Sequence, residues 1–128
     1  MPIETQPIDD ENIIIIKISD PFKMAETIPE LSDILQTKLD STDGTLYYIS
    51  DICDATINFA DLVSGMGLVF KGGLESFSDS RLHMIVVSES SLVKMGSKAA
   101  QQTQYGGVNI KVFATVDDAL TYARGNPQ

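Results

Sequence analysis

The chain carries one histidine, His83, and one cysteine, Cys53. Nucleophilic catalysis of the Cys–His kind needs a thiol within hydrogen-bond reach of an imidazole, so here it would have to be built from these two residues. His83 falls inside the apolar run 82–87 and Cys53 in the loop behind a neighbouring run. That placement reads as a partly buried histidine and an unreactive thiol, and no catalytic residue is expected. The acids are more informative. Asp20, Asp51 and Asp54 each stand shortly after an apolar run, Asp61 follows them, and Ser88-Glu89 closes a third run. In a parallel α/β sheet, ligands bind outside the carboxyl ends of the strands. Asp20, Asp51, Asp54, Ser88 and Glu89 are therefore the candidate ligand-binding set, suited to a cation or a polar molecule. The same residue types also cap helices and solvate loops. No metal-ligand spacing is present among them, and neither a metal nor another cofactor is expected.

Glycines offer a second chemistry. Gly65-Met66-Gly67 with Lys71-Gly72-Gly73 invites comparison with a phosphate-binding loop. The spacing fits neither the nucleotide P-loop nor the dinucleotide fingerprint, and the segment follows no strand directly. Helix packing at Gly65 and Gly67 and a helix stop at Gly72-Gly73 account for these residues. Beyond them, Phe70, Leu74 and Phe77 place apolar side chains around a glycine-rich exit. They suit the domain core, an apolar ligand or a contact between two chains, and a homodimer contact is the expectation taken forward. Met24, Met66, Met84 and Met95 fall on apolar faces and are expected in the core.

The elements that must position these residues follow from periodicity. Residues 1–8 read as an edge strand, and the polar turn Asp9–Asn12 joins it as a hairpin to Ile13–Ile18, a continuous β-branched run of a strand buried on both faces. Ile28, Leu31, Leu35 and Leu39 recur at helical spacing. Thr27-Ile28-Pro29-Glu30 has the form of a capping box, so this helix starts either there or near Phe22 with a bend at Pro29. Leu46-Tyr47-Tyr48-Ile49-Ser50 is the next strand, aromatic and β-branched. Phe59, Leu62, Val63, Met66 and Phe70 mark one apolar helical face after it. Leu82–Val87 is a third buried strand, and a helix capped by Ser90 or Ser91 follows with Leu92, Met95 and Ala99 inward. Val108–Phe113 is the last strand. A closing helix opens with Asp117-Asp118 in its first turn, turns Val116, Ala119, Leu120 and Ala123 inward and ends at Gly125.

The order β-β-α-β-α-β-α-β-α predicts one α/β domain over residues 1–128. Its sheet is mainly parallel, of four to five strands, with an antiparallel first strand and about four helices. At 128 residues, with 43% hydrophobic and 21% charged, the chain has the composition of one globular domain. No apolar run is long enough to cross a bilayer, so the chain is expected not to be transmembrane. The opening Met1-Pro2-Ile3-Glu4 lacks the pattern of a secretory signal, and one cysteine suits a cytoplasmic location. The net charge of −9 is uneven: residues 1–64 hold thirteen acids and three bases, residues 65–128 five acids and six bases. No basic cluster is present to displace counterions, so nucleic acid is excluded as a partner. The acidity serves solubility or docks a basic protein.

Three segments carry a family resemblance. Ile13–Ile18 leads into a long helix with an internal proline, Pro29. Leu46–Asp51 is a strand ending in Asp, followed by a loop and the helix from Phe59. Val112-Phe113-Ala114-Thr115-Val116-Asp117-Asp118-Ala119-Leu120 joins the last strand to the last helix. Together they resemble the STAS fold of anti-anti-sigma factors and sulphate-transporter tails, and more closely the small, stand-alone bacterial SpoIIAA-like, STAS-like proteins. The resemblance implies a regulatory or binding module. Anti-anti-sigma factors carry a phosphorylatable serine beside an Asp at the start of the helix after the third strand. Here that position falls near Ala60, in Phe59-Ala60-Asp61, and Ser64 lies one turn further, so the phospho-switch is expected to be absent.

Two functions are carried forward. The first is a non-catalytic STAS-like module acting through protein contact or small-ligand binding, with its acidic half as the docking surface. The alternative is a small metal-assisted hydrolase or transferase using Asp51, Asp54 and Ser88 at the strand ends.

Overall fold

Six consecutive residues of Ile13–Ile18, five of them isoleucine, suit a strand inside a sheet that buries both faces, since β-branched side chains favour extended backbone. In the computed structural model, which describes residues 3–8, 12–61, 63–64, 67, 81–100 and 110–125, this run is the second of five strands. The strands are β1 (Ile3–Ile8), β2 (Ile13–Ile18), β3 (Leu46–Asp51), β4 (Leu82–Val87) and β5 (Lys111–Phe113). Among the described residues the helices are α1 (Met24–Asp40), α2 (helical backbone at 59–61, 63–64 and 67), α3 (Ser91–Ala100) and α4 (Val116–Gly125). The fold is α/β, as the element order predicts.

Spatial order repeats chain order, β1-β2-β3-β4-β5. β1 runs antiparallel to β2, pairing Ile8 with Ile13, and Asn12, the residue before β2, is left-handed with a φ of 53°. β2, β3, β4 and β5 are parallel. Their register brings Lys17, Asp51, Val87 and Phe113 into one row at the carboxyl edge.

Side chains alternate across the sheet and build two cores. Ile14, Ile16, Ile18, Leu46 and Tyr48 face Ile28, Leu31, Leu35 and Leu39 of α1. Ile13, Ile15, Tyr47, Ile49, Ile85 and Val87 face Ala119 and Ala123 of α4. The two alanines let the last helix lie close to the sheet.

Several expectations are corrected. Of the two starts left open for the long helix, the one near Phe22 is used: it begins at Met24 with Lys23 as its N-cap and Pro29 inside it, and the capping-box start at Thr27 is not used. Pro29 is exposed, and its missing N–H leaves only the carbonyl four residues earlier without its helical donor. β4 is less enclosed than its run of apolar residues predicts: Ile85 and Val87 are buried, while His83, expected to be partly buried, is exposed with its ring tilted against Tyr47 at 5.1 Å. β5 is limited to three residues. A Cβ on Gly67 would meet nothing within 4 Å, so that glycine is not needed for a close approach. Met95, expected in the core, is 59% exposed. The homodimer residues Phe70, Leu74 and Phe77, together with Gly65, Met66 and Lys71-Gly72-Gly73, lie outside the described residues.

Candidate functional site at the carboxyl edge of the sheet

Asp20, Asp51, Asp54, Ser88 and Glu89 all stand where the parallel strands end. Asp20 follows β2 by two residues, Asp51 is the last residue of β3, Asp54 lies in the turn behind it, and Ser88-Glu89 follow β4. These positions put all five residues at the carboxyl edge. Its chemistry is mostly spent on holding the loops.

Asp20 accepts two hydrogen bonds from Thr56, one from the hydroxyl at 2.6 Å and one from the backbone N–H at 3.0 Å. The Asp20 N–H in turn approaches the Asp54 carbonyl at 3.4 Å. The two hydrogen bonds from Thr56, led by the hydroxyl, hold the Asp20 carboxyl below its ordinary range. Asp54 pairs with Lys17 at 2.8 Å. Lys17 is the one base in the isoleucine strand, and its ammonium is pushed up, first by the hydrogen bond and charge of Asp54 and then by Asp51 and Glu4. Asp51 accepts the Cys53 N–H at 3.1 Å, an Asx-type turn that ends the strand. Ser88 is buried. Its N–H donates to the Phe113 carbonyl at 2.9 Å and its hydroxyl oxygen accepts the Ser90 N–H at 3.1 Å. Ser90 then caps α3 by accepting the Val93 N–H at 3.4 Å. Glu89 is exposed.

Cys53 sits in the middle of these acids. Its sulfur lies 3.7 Å from the Val87 carbonyl. Partial burial is the largest cause that pushes the thiol up, followed by the Asp51 hydrogen bond and the charges of Asp51, Glu89 and Asp54. His83 is at the opposite end of β4, so the two residues of a Cys–His couple are at opposite ends of the sheet. Among the described residues, no three His, Cys, Asp or Glu side chains are grouped to hold a metal ion. Among the described residues the strand order also contains no reversal, the feature that opens a ligand crevice in doubly wound sheets.

The next loop leads to the surface feature that periodicity alone misassigns. Asn58 and Asp61 cap α2 reciprocally: the Asp61 N–H donates to Asn58 Oδ1 at 2.7 Å, and the Asn58 N–H donates to Asp61 Oδ2 at 3.2 Å. This is a capping box with Asn and Asp in place of the commoner pair, legible in the spacing Asn58-x-x-Asp61. The box fixes where the helix begins, and so where Phe59 and Val63 point. Both belong to the apolar face that helical spacing marks. Phe59 is 67% exposed and Val63 53% exposed, and their spacing places them on one side of the helix.

No protein-family model matches the chain, and no curated protein sequence matches it significantly.

Proposed function

We propose that the protein is a non-catalytic, STAS-like binding module that works by protein contact through the start of α2, without a serine phospho-switch. The observation that carries this reading is the exposure of Phe59 and Val63 beside the carboxyl edge of the sheet. A large aromatic ring left in water forfeits roughly 1.5–3 kcal/mol relative to burial, a cost that a partner removes on docking. The edge carboxylates support the same reading from the other side. Asp20, Asp51 and Asp54 are occupied by Thr56, Cys53 and Lys17, which suits a rigid platform better than a reacting site. Ala60, at the position where relatives of the resembled family carry the acceptor serine, has no hydroxyl. Fold alone never specifies function, so the docking face carries the argument and the sheet topology accompanies it. The homodimer contact at Phe70, Leu74 and Phe77 and a cytoplasmic location belong to this proposal on sequence grounds.

The test is photo-crosslinking in the native cell with a benzophenone side chain at position 59, and at exposed Thr37 on α1 as the control. A discrete protein adduct at position 59 and none at position 37 is the expected result. Equal patterns at the two positions, or none at 59, would overturn it.

A further inference from the structure

We propose that the occupant of the α2 face is a basic amphipathic segment of another protein, apolar side chains on Phe59 and Val63 and cations on the surrounding carboxylates. This rests on the docking reading above and adds the chemistry of the partner.

The apolar half is the pair Phe59 and Val63 on successive turns, a geometry that meets one apolar stripe of a partner helix or strand. The ionic half is the sheet edge from which α2 departs. Asp20, Asp51, Asp54 and Glu89 lie there and Asp61 is on the first turn of α2 itself, while Lys17 is held by Asp54 at 2.8 Å. The hydrogen bonds that Asp20 and Asp51 accept come from neutral groups, a Thr hydroxyl and backbone N–H groups, so their charge is not cancelled. Asp51 accepts the Cys53 N–H at 3.1 Å and Asp54 holds Lys17 at 2.8 Å, so both carboxylates belong to the turn that leads from β3 toward α2. An exposed apolar pair on a helix that leaves an acid-bearing sheet edge, in a half of the chain with thirteen acids and three bases, selects a partner that joins apolar side chains to cations.

Charge also decides against a second copy of this chain on the same face. A twofold contact places a patch on itself, so acidic rim would meet acidic rim in a chain of net charge −9. An anionic membrane surface is disfavoured by the same sign.

The experiment is an amide-shift titration of the labelled full chain with three peptides of roughly 18 residues: a Leu/Lys amphipathic helix, its Leu/Glu counterpart and a Ser/Lys peptide without apolar residues. The Leu/Lys peptide should bind at least about tenfold tighter than either control, with shifts centred on 58–64 and 51–56, and should weaken about fivefold or more in half-molar salt. Phe59→Ser with Val63→Ser should remove binding in a chain that keeps its spectrum, and Glu89→Lys alone should weaken it. Equal binding of the Leu/Glu peptide, shifts away from α2, or self-association that the double variant abolishes would each overturn the proposal. A position-59 adduct in cells without a Lys preference in the titration would sink the basic partner and leave the docking face standing. Loss of both would sink the two together.

Discussion

The Thr56 hydroxyl donates to Asp20 Oδ2 at 2.6 Å, and this bond ties the loop behind β2 to the loop behind β3. The two loops must be in register for α1 and α2 to leave the sheet as they do. Thr56 is the partner that depresses the Asp20 carboxyl. A depressed acid stabilises the fold above its unfolded value and loses that contribution as pH falls through the folded value. Thr56→Val should therefore move the Asp20 carboxyl toward the ordinary 3.8, read from its side-chain carbon in an NMR titration. The acid side of the stability profile should flatten with it. Thr56→Ser should keep the depressed value. An Asp20 titration unchanged by Thr56→Val would show that the two groups are not coupled in solution.

Arg81 makes a comparable tie at the other edge of the sheet. Its guanidinium donates to the Thr42 carbonyl at 3.0 Å and approaches the Leu39 carbonyl at 3.4 Å, where α1 ends, while Leu46 donates to the Arg81 carbonyl at 2.8 Å. A cation at a helix C-terminus satisfies carbonyls that the helix itself leaves open. Arg81→Met keeps much of the length and removes the donors. It should cost about 1–3 kcal/mol in urea unfolding and raise amide exchange in the last turn of α1. A loss confined to β4, with α1 unchanged, would assign Arg81 to a different role.

Phe59 and Val63 separate what the sequence reveals from what it conceals. Ile13–Ile18 and Leu82–Val87 are legible to the residue, and the strand from Leu46 to within one residue at its end, because apolar, aromatic and β-branched runs of this length suit a buried strand. The start of α1 is less legible. Thr27-Ile28-Pro29-Glu30 has the local form of a beginning, yet Thr27 and Ile28 are buried against the sheet, so burial carries the helix back to Met24 through an exposed proline. Local capping energies of about 1 kcal/mol yield to that packing. The carboxylates at the strand ends could be placed from topology alone, but their partners could not: Thr56 and Lys17 reach Asp20 and Asp54 from 36 and 37 positions away in sequence. For α2, helical spacing defines an apolar face without saying whether anything covers it. Phe59 and Val63 have that spacing and are exposed.

The contrast can be measured. Phe59→Ala and Val63→Ala should each change unfolding free energy by no more than about 0.5 kcal/mol, the range of surface substitutions. Leu35→Ala, at a side chain with no exposure between α1 and the sheet, should cost about 2–5 kcal/mol. A cost above roughly 2 kcal/mol at Phe59 would return that residue to the core and remove the docking face.

Tyr48 supplies an alkaline counterpart. Its ring is buried among Ile16, Leu46 and the α1 leucines, and burial pushes the phenol up to about 12, with the Ser50 hydroxyl pulling less strongly in the other direction. The unfolded phenol titrates at the ordinary 10.0. The fold thus keeps the full contribution of Tyr48 below that value and loses it as pH rises toward 12. The loss should reach roughly 2–3 kcal/mol across the window. In Tyr48→Phe the stability profile should be flatter over the same range. A Tyr48 ring-carbon titration near the ordinary value would show that water reaches the hydroxyl and that the core beneath α1 is open.

Cys53 offers the most direct reading of the field at the carboxyl edge. The residue is exposed, so a reagent can reach it, but the thiolate that reacts is disfavoured by partial burial and by Asp51, Glu89 and Asp54. Alkylation should therefore be slow at neutral pH, and its rate should rise with a midpoint above the ordinary 9.0. Asp51→Asn removes a hydrogen-bonding carboxylate and one negative charge, and should lower the midpoint and speed the reaction at pH 8. Glu89→Gln removes charge alone and should have a smaller effect in the same direction. High salt should accelerate the wild-type thiol more than the Asp51→Asn thiol, because only a charge effect is screened. A midpoint at or below 9.0 in the wild type would mean that the carboxylates do not dominate this edge, and the acidic rim required of the docking face would be lost with it.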